Sequence, residues 1–164
     1  MGIKRMEEDK EGDFVSATLA KADLYIKKLK LPLPEKPINL IKWPENLNDL
    51  RETELSELLT RLSGWQAYAG YQLAREETNK ENLTESYDLK LKQATYNSKK
   101  DFDTVTETKA AISQMSDMVD LKKKIQFARA KVKLLSGLIA GYESKYAATS
   151  REISRRKSEV INHG

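Results

Sequence analysis

The stretch MVDLKKKIQFARAKVKLLSGLIAGYESKYAATSREI, residues 118–153, decides the fold. Met118, Leu121, Ile125, Ala128, Val132, Leu135, Ile139, Tyr142, Tyr146, Thr149 and Ile153 recur at alternating intervals of three and four without interruption. That interval keeps one face of an α-helix apolar or small over its whole length, the pattern of a helix built to lie along another. At 1.5 Å per residue the stripe would extend roughly 54 Å. The same stretch and its continuation carry Lys122, Lys123, Lys124, Arg129, Lys131, Lys133, Lys145, Arg151, Arg155, Arg156 and Lys157 against Glu143, Glu152 and Glu159. One surface is suited to packing and another to attracting anions.

A partner helix lies upstream. Leu55, Leu58, Leu62, Trp65, Ala69 and Leu73 form a second stripe, which weakens through Glu76 and Lys80 and resumes at Leu83, Tyr87, Leu91 and Ala94. Asn48 or Asp49 is placed to cap this helix, with Glu52 and Glu54 favourable in its first turn. The pattern predicts a helix ending near Tyr96. Residues 97–102 break the period, and Asp103 or Thr104 can cap a second long helix reaching about Arg156. A short connection between them implies an antiparallel hairpin over residues 47–157, and hence an all-α, coiled-coil-like fold.

The flanking segments read differently. Residues 1–13 are charged and aperiodic, a tail, and residues 14–30 permit a short helix stopped by Pro32. Pro32, Pro34, Pro37 and Pro44 punctuate an extended arm through residue 46. Its Ile38, Leu40, Ile41 and Trp43 are too apolar for a solvated linker, so it is expected to lie along a helix of this chain or of a neighbour. Residues 158–164 read as a C-terminal tail. Because two helices leave flank positions such as Phe127, Leu134, Leu138 and Trp65 incompletely covered, a homo-oligomer is expected. Leu121, Ile125, Val132, Leu135, Ile139, Tyr142, Tyr146 and Trp65 are its candidate seam and core. Gly64, Gly70, Gly137 and Gly141, inside helical patterns, allow either a close helix crossing or a local kink.

Composition narrows the chemistry. The 164 residues contain no cysteine and one histidine, His163. Thiolate nucleophiles, cysteine metal sites and histidine-based triads are therefore not available to this sequence. No Gly-rich phosphate loop follows a strand, and Glu76, Glu77, Glu81 and Glu85, interleaved with Asn79 and Lys80, read as a solvated face rather than a metal cluster. The expectation is a non-enzymatic protein with no cofactor. No run approaches the ~20 apolar residues that span a bilayer, and Met1–Lys10 lacks a signal-peptide core, so a soluble cytoplasmic protein without membrane contact is expected.

The net charge of +4 conceals an asymmetry. Residues 121–164 carry eleven basic and three acidic side chains, a net +8, which leaves −4 for residues 1–120. Arg129, Lys133, Arg151, Arg155 and Arg156 are placed to project from the flanks while the stripe is buried, and an oligomer would multiply their phosphate contacts. No helix-turn-helix, zinc-finger or RRM signature is present, so binding led by phosphate charge is expected. Tyr96, beside Lys99 and Lys100, is the best candidate to stack on an unpaired base, since Tyr142 and Tyr146 belong to the stripe.

LSGWQAYAGYQLA at 62–74, the segment from Tyr87 to Tyr96, and ARAKVKLLSGLIAGYESKYAATSREISRR at 128–156 together resemble the phage-encoded UvsY-like recombination mediators. The similarity spans about residues 50–157. It implies a helical ring that binds single-stranded DNA and helps a RecA-type recombinase displace single-stranded-DNA-binding protein. In that family, basic residues near the end of the first long helix contribute to DNA binding. The similar positions here are Lys90 and Lys92, although the family's compact basic pattern is not reproduced residue for residue. The competing readings are a coiled-coil adaptor, solubilised by its basic flank, and an inhibitor acting through protein contacts.

Overall fold

A computed structural model describes residues 19–98 and 104–163. Their regular structure is helical, with no strand among the described residues. Residues 19–28 form α1, a 3-10 turn covers Leu47–Asp49, and three helices follow: α2 (Glu52–Asn97), α3 (Val105–Ser113) and α4 (Ser116–His163). The chain divides into two compact units. One takes α1, α2 from Ala74, α3, and α4 as far as Lys133; the other takes Pro32–Leu73 and α4 from Leu134. In each unit α2 and α4 pack together, and their contacts descend one helix as they climb the other.

In the first unit the core is Ile112, Met118 and Leu121, packed against Leu83, Tyr87, Leu91 and Ala94 of α2. Lys131 pairs with Glu76 at 2.9 Å, and Lys122 lies over the Tyr87 ring at 5.6 Å. Arg75 reaches Asp23 of α1 at 2.7 Å. α1 ends in a Schellman arrangement: the Lys30 N–H donates to Lys27, the Leu31 N–H donates to Ile26, and Lys30 adopts φ 57°. Pro32 then prevents resumption.

The sequence pattern predicts one helix from Asp103 or Thr104 to Arg156; the structure has two. Thr104 is the N-cap of α3, its hydroxyl accepting from the Glu107 N–H at 3.2 Å. The backbone then tightens, with Gln114 N–H donating to Ala111 and Met115 N–H to Ile112. In an unbroken helix Ile112 and Met118, six residues apart, would point roughly 120° away from each other. The break at Gln114 and Met115 brings both into one core, where they are 0% and 2% exposed. α4 also continues beyond Arg156, to His163.

In the second unit Leu55, Leu58, Leu62 and Ala69 of α2 are buried. Gln66 meets Glu143 at 3.3 Å. Thr149, fully buried, returns its hydroxyl hydrogen bond to the Lys145 carbonyl, so a polar side chain sits in the stripe without an unmet donor. Trp65 donates from its indole to the Asn39 carbonyl at 2.9 Å and meets Tyr68 edge to face. The start of α2 lies later than Asn48 or Asp49. Those two belong to the 3-10 turn, which Asn46 caps. At the N-terminus of α2 Glu54 accepts from the Arg51 N–H at 2.7 Å, the return half of a capping box.

The heptad stripe is buried unevenly. Met118, Leu121, Ile125 and Ala128 are buried; Val132, Leu135, Ile139 and Tyr142 are half-buried. Tyr146, read from its spacing as core, is 40% exposed. Counting from the Gln66–Glu143 contact, it stands level with Ser63 and Gly64, which bring little side chain to cover a phenol ring. The helical glycines do not serve a close crossing within the chain. A Cβ on Gly70, Gly137 or Gly141 would meet nothing within 4 Å, and on Gly64 only Pro37, at an ordinary 3.7 Å.

Candidate nucleic-acid interface

In the first unit, burial of Leu121, Ile125 and Ala128 turns the neighbouring flank of α4 to solvent. Lys122, Arg129 and Lys133 follow one another at intervals of seven and four, so they share that flank and all three are exposed. Arg129 and Lys133 line an open groove of about 530 Å³ together with Lys80, Glu81, Thr84 and Glu85 of α2. Neither forms an ion pair among the described residues. The groove thus sets three cations against two carboxylates, with its cationic side on α4.

A second groove in the same unit, about 500 Å³, is lined by Asp88, Leu91, Lys92, Thr95, Tyr96 and Lys109. Tyr96 is 74% exposed and lines this groove with Lys92 and Lys109. Lys90 is not brought to this groove. It lies two residues from Lys92, a rotation of about 200° on a helix, and is half-buried. Lys99 and Lys100 lie outside the described residues.

In the second unit the three predicted arginines have different fates. Arg151 is exposed and its Nε donates to the Ala147 carbonyl at 3.2 Å. Arg155 grips Glu152 with two nitrogens, at 2.9 and 2.8 Å, and Glu159 with a third. Arg156 is committed to the fold: Nε to Glu152 at 2.6 Å, Nη1 to the Leu50 carbonyl at 2.6 Å, and Nη2 to the carbonyls of Leu47 and Asn48 at 3.1 and 3.0 Å. Hydrogen bonds from Arg155, then Arg156, hold the Glu152 carboxyl down at about 2, and Glu152 in turn raises Arg155 above its ordinary range.

No family model, curated protein or solved structure matches the chain.

Exposed guanidinium and ammonium groups are hydrogen-bond donors and positive charges of the kind that phosphate oxygens accept. Among the described residues there is no group of three acidic or histidine side chains able to hold a metal ion, and no helix long and apolar enough to cross a membrane. Glu76, one of the imagined metal ligands, is paired with Lys131.

Two groove cations escaped the sequence reading. Lys80 entered only as an interruption of the α2 stripe and as part of a solvated acidic face, and Lys109 was not singled out at all. The antiparallel pairing signals Lys80, because Glu76 opposite Lys131 places the next turn of α2 opposite Arg129. Lys109 had no such signal, since its position depends on the break after Ser113.

Proposed function

We propose that this protein is a non-enzymatic, single-stranded-DNA-binding recombination mediator that helps load a RecA-type recombinase. The observation that carries DNA binding is the exposed Lys122, Arg129, Lys133 row on α4, which stays open to solvent because the adjacent heptad positions are buried. A strand laid along that row would release counterions from each phosphate neutralised. Tyr96, flanked by Lys92 and Lys109, supports a preference for unpaired bases. The recombinase and the displaced single-stranded-DNA-binding protein enter through the resemblance of residues 62–74 and 128–156. Arg156 has no place in this surface, because its nitrogens are already given to the Glu152 carboxylate and to main-chain carbonyls.

Self-association belongs to the proposal. Leu134 and Leu138 are 69% and 52% exposed on α4 of the second unit, and a ring of copies would cover them while repeating the cationic row. The same two leucines favour the second reading, a helical adaptor whose contacts are with other proteins.

Fluorescence anisotropy of a labelled single-stranded oligonucleotide, titrated at several salt concentrations, separates the two. The mediator binds with a steep salt dependence and prefers unpaired to duplex DNA. Arg129→Glu combined with Lys133→Glu flattens the salt slope by about two phosphates. No binding at low salt defeats the reading in favour of the adaptor.

A further inference from the structure

The second unit contains an aromatic and cationic groove outside the surface just described. Trp43 and Pro44 form one wall and Ala148, Arg151, Glu152 and Arg155 of α4 the other, around about 650 Å³. Trp43 precedes a proline, which restricts its backbone to extended conformations and so limits how the ring can swing. Lys145 holds its ammonium 5.3 Å from the ring centroid, a cation–π contact that orients the indole. Trp43 as a whole remains 37% exposed, and its indole N–H makes no hydrogen bond among the described residues.

The charges of the groove are unequal in their freedom. Arg155 is saturated by Glu152 and Glu159, and Glu152 is itself neutralised by Arg155 and Arg156. Arg151 spends only Nε on the Ala147 carbonyl, leaving both Nη groups without a partner among the described residues. The groove therefore offers one oriented aromatic ring, one guanidinium with two donors to give, and the Lys145 ammonium at the ring. Glu45 is the one carboxylate lining it that lacks a partner among the described residues.

We infer that this groove is a nucleobase-stacking site for single-stranded DNA, with a base on Trp43 and the adjoining phosphate on Arg151. The inference rests on the DNA-binding reading and deepens it by naming the aromatic platform of the second unit. A paired base would keep its faces inside the duplex, so the site discriminates for unpaired strands. Arg151 and Lys145 are six residues apart on α4, roughly 9 Å of helical rise and about 120° around the axis, so the phosphate falls to Arg151 while Lys145 stays with the ring.

The experiment follows intrinsic tryptophan fluorescence while full-length protein is titrated with oligo-dT or with an abasic oligonucleotide of equal length and charge. Oligo-dT should quench the emission and the abasic strand should not. Trp43→Leu should weaken oligo-dT binding about tenfold while leaving abasic binding unchanged. Trp43→Phe should remove the quench but retain most of the affinity, and unchanged far-UV circular dichroism establishes that both variants fold. Arg151→Gln should weaken both oligonucleotides equally. Binding that Trp43→Leu leaves unaltered for both strands overturns the site while DNA binding itself stands. No binding of either strand at low salt overturns both. Quenching by poly-glutamate equal to that by oligo-dT assigns the groove to acidic peptides and overturns the nucleobase assignment.

Discussion

The Arg156 guanidinium donates to the main-chain carbonyl of Leu50 at 2.6 Å, which ties the last turns of α4 to the segment leading into α2. The carbonyls of Leu47 and Asn48 complete the cradle. The Leu47 carbonyl also accepts from the Leu50 N–H that closes the 3-10 turn, and the planar donor fork reaches all three carbonyls at once. Arg156→Ala is expected to destabilise the chain by about 2 kcal/mol, the order of a charge-assisted hydrogen-bond set that is partly solvated. Arg156→Lys should recover little of this, because an ammonium cannot span the carbonyls. Urea denaturation measures the loss, and amide hydrogen exchange at Leu50 and Arg51 should rise in both variants.

Glu152 makes the same junction sensitive to acid. Its carboxyl titrates near 2 in the fold, against an ordinary 4.5, because Arg155 and Arg156 donate to the ionised form. A carboxyl depressed by folding stabilises the native state above its unfolded pKa and ceases to do so as pH falls through the folded value. Stability should therefore be lost between about pH 4.5 and pH 2. Glu54, lowered by Arg51, adds a contribution of the same sign. Thermal melts of wild type and Glu152→Gln across pH 2–6 isolate the Glu152 share: the variant should be less stable at pH 6, and the gap should close on acidification. A gap that stays constant would show that the carboxylate is not what holds the turn.

How far the sequence was legible depends on the range of the interaction. The helical class and the end of α2, expected near Tyr96 and found at Asn97, follow from periodicity, which neighbours on one helix enforce. The break at Gln114 and Met115 was not legible. Nothing there is a proline or glycine, and the reorientation follows from packing Ile112 and Met118 against α2 rather than from local preference. The late start of α2 has a similar origin, since the turn at Leu47–Asp49 is fixed by Arg156, more than 100 positions away. The exposure of Arg129 and Lys133 on a flank of α4 was readable from charge and register. The division of labour among Arg151, Arg155 and Arg156 was not, because adjacent arginines look alike until their partners are placed.

The break itself can be tested through its core. Ile112 is fully buried beside Met118 and Leu121, so Ile112→Ala removes methyl groups that α2 cannot fully collapse to replace. A loss of about 2–4 kcal/mol is expected by urea denaturation. Leu134→Ala, at an exposed position of α4, should change stability by less than about 0.5 kcal/mol in dilute protein. Similar effects at both positions would contradict the two-helix arrangement around Gln114.

Gly137 and Gly141 separate the needs of the isolated chain from those of an assembly. Neither glycine is required by its own chain, since an added Cβ meets nothing within 4 Å and neither has a positive φ. Each should cost about 1 kcal/mol relative to alanine through backbone entropy in the helix. Gly141→Ala is therefore expected to raise the urea midpoint at low protein concentration, where single chains dominate. In the proposed assembly the outcome should reverse. Leu134 and Leu138 are exposed on the same stretch of α4, and a second copy seated over them would meet the new methyl group at the helix surface. Sedimentation velocity at increasing concentration should then show weaker self-association than wild type. Greater stability with unaltered association would place the contact between copies elsewhere on the chain.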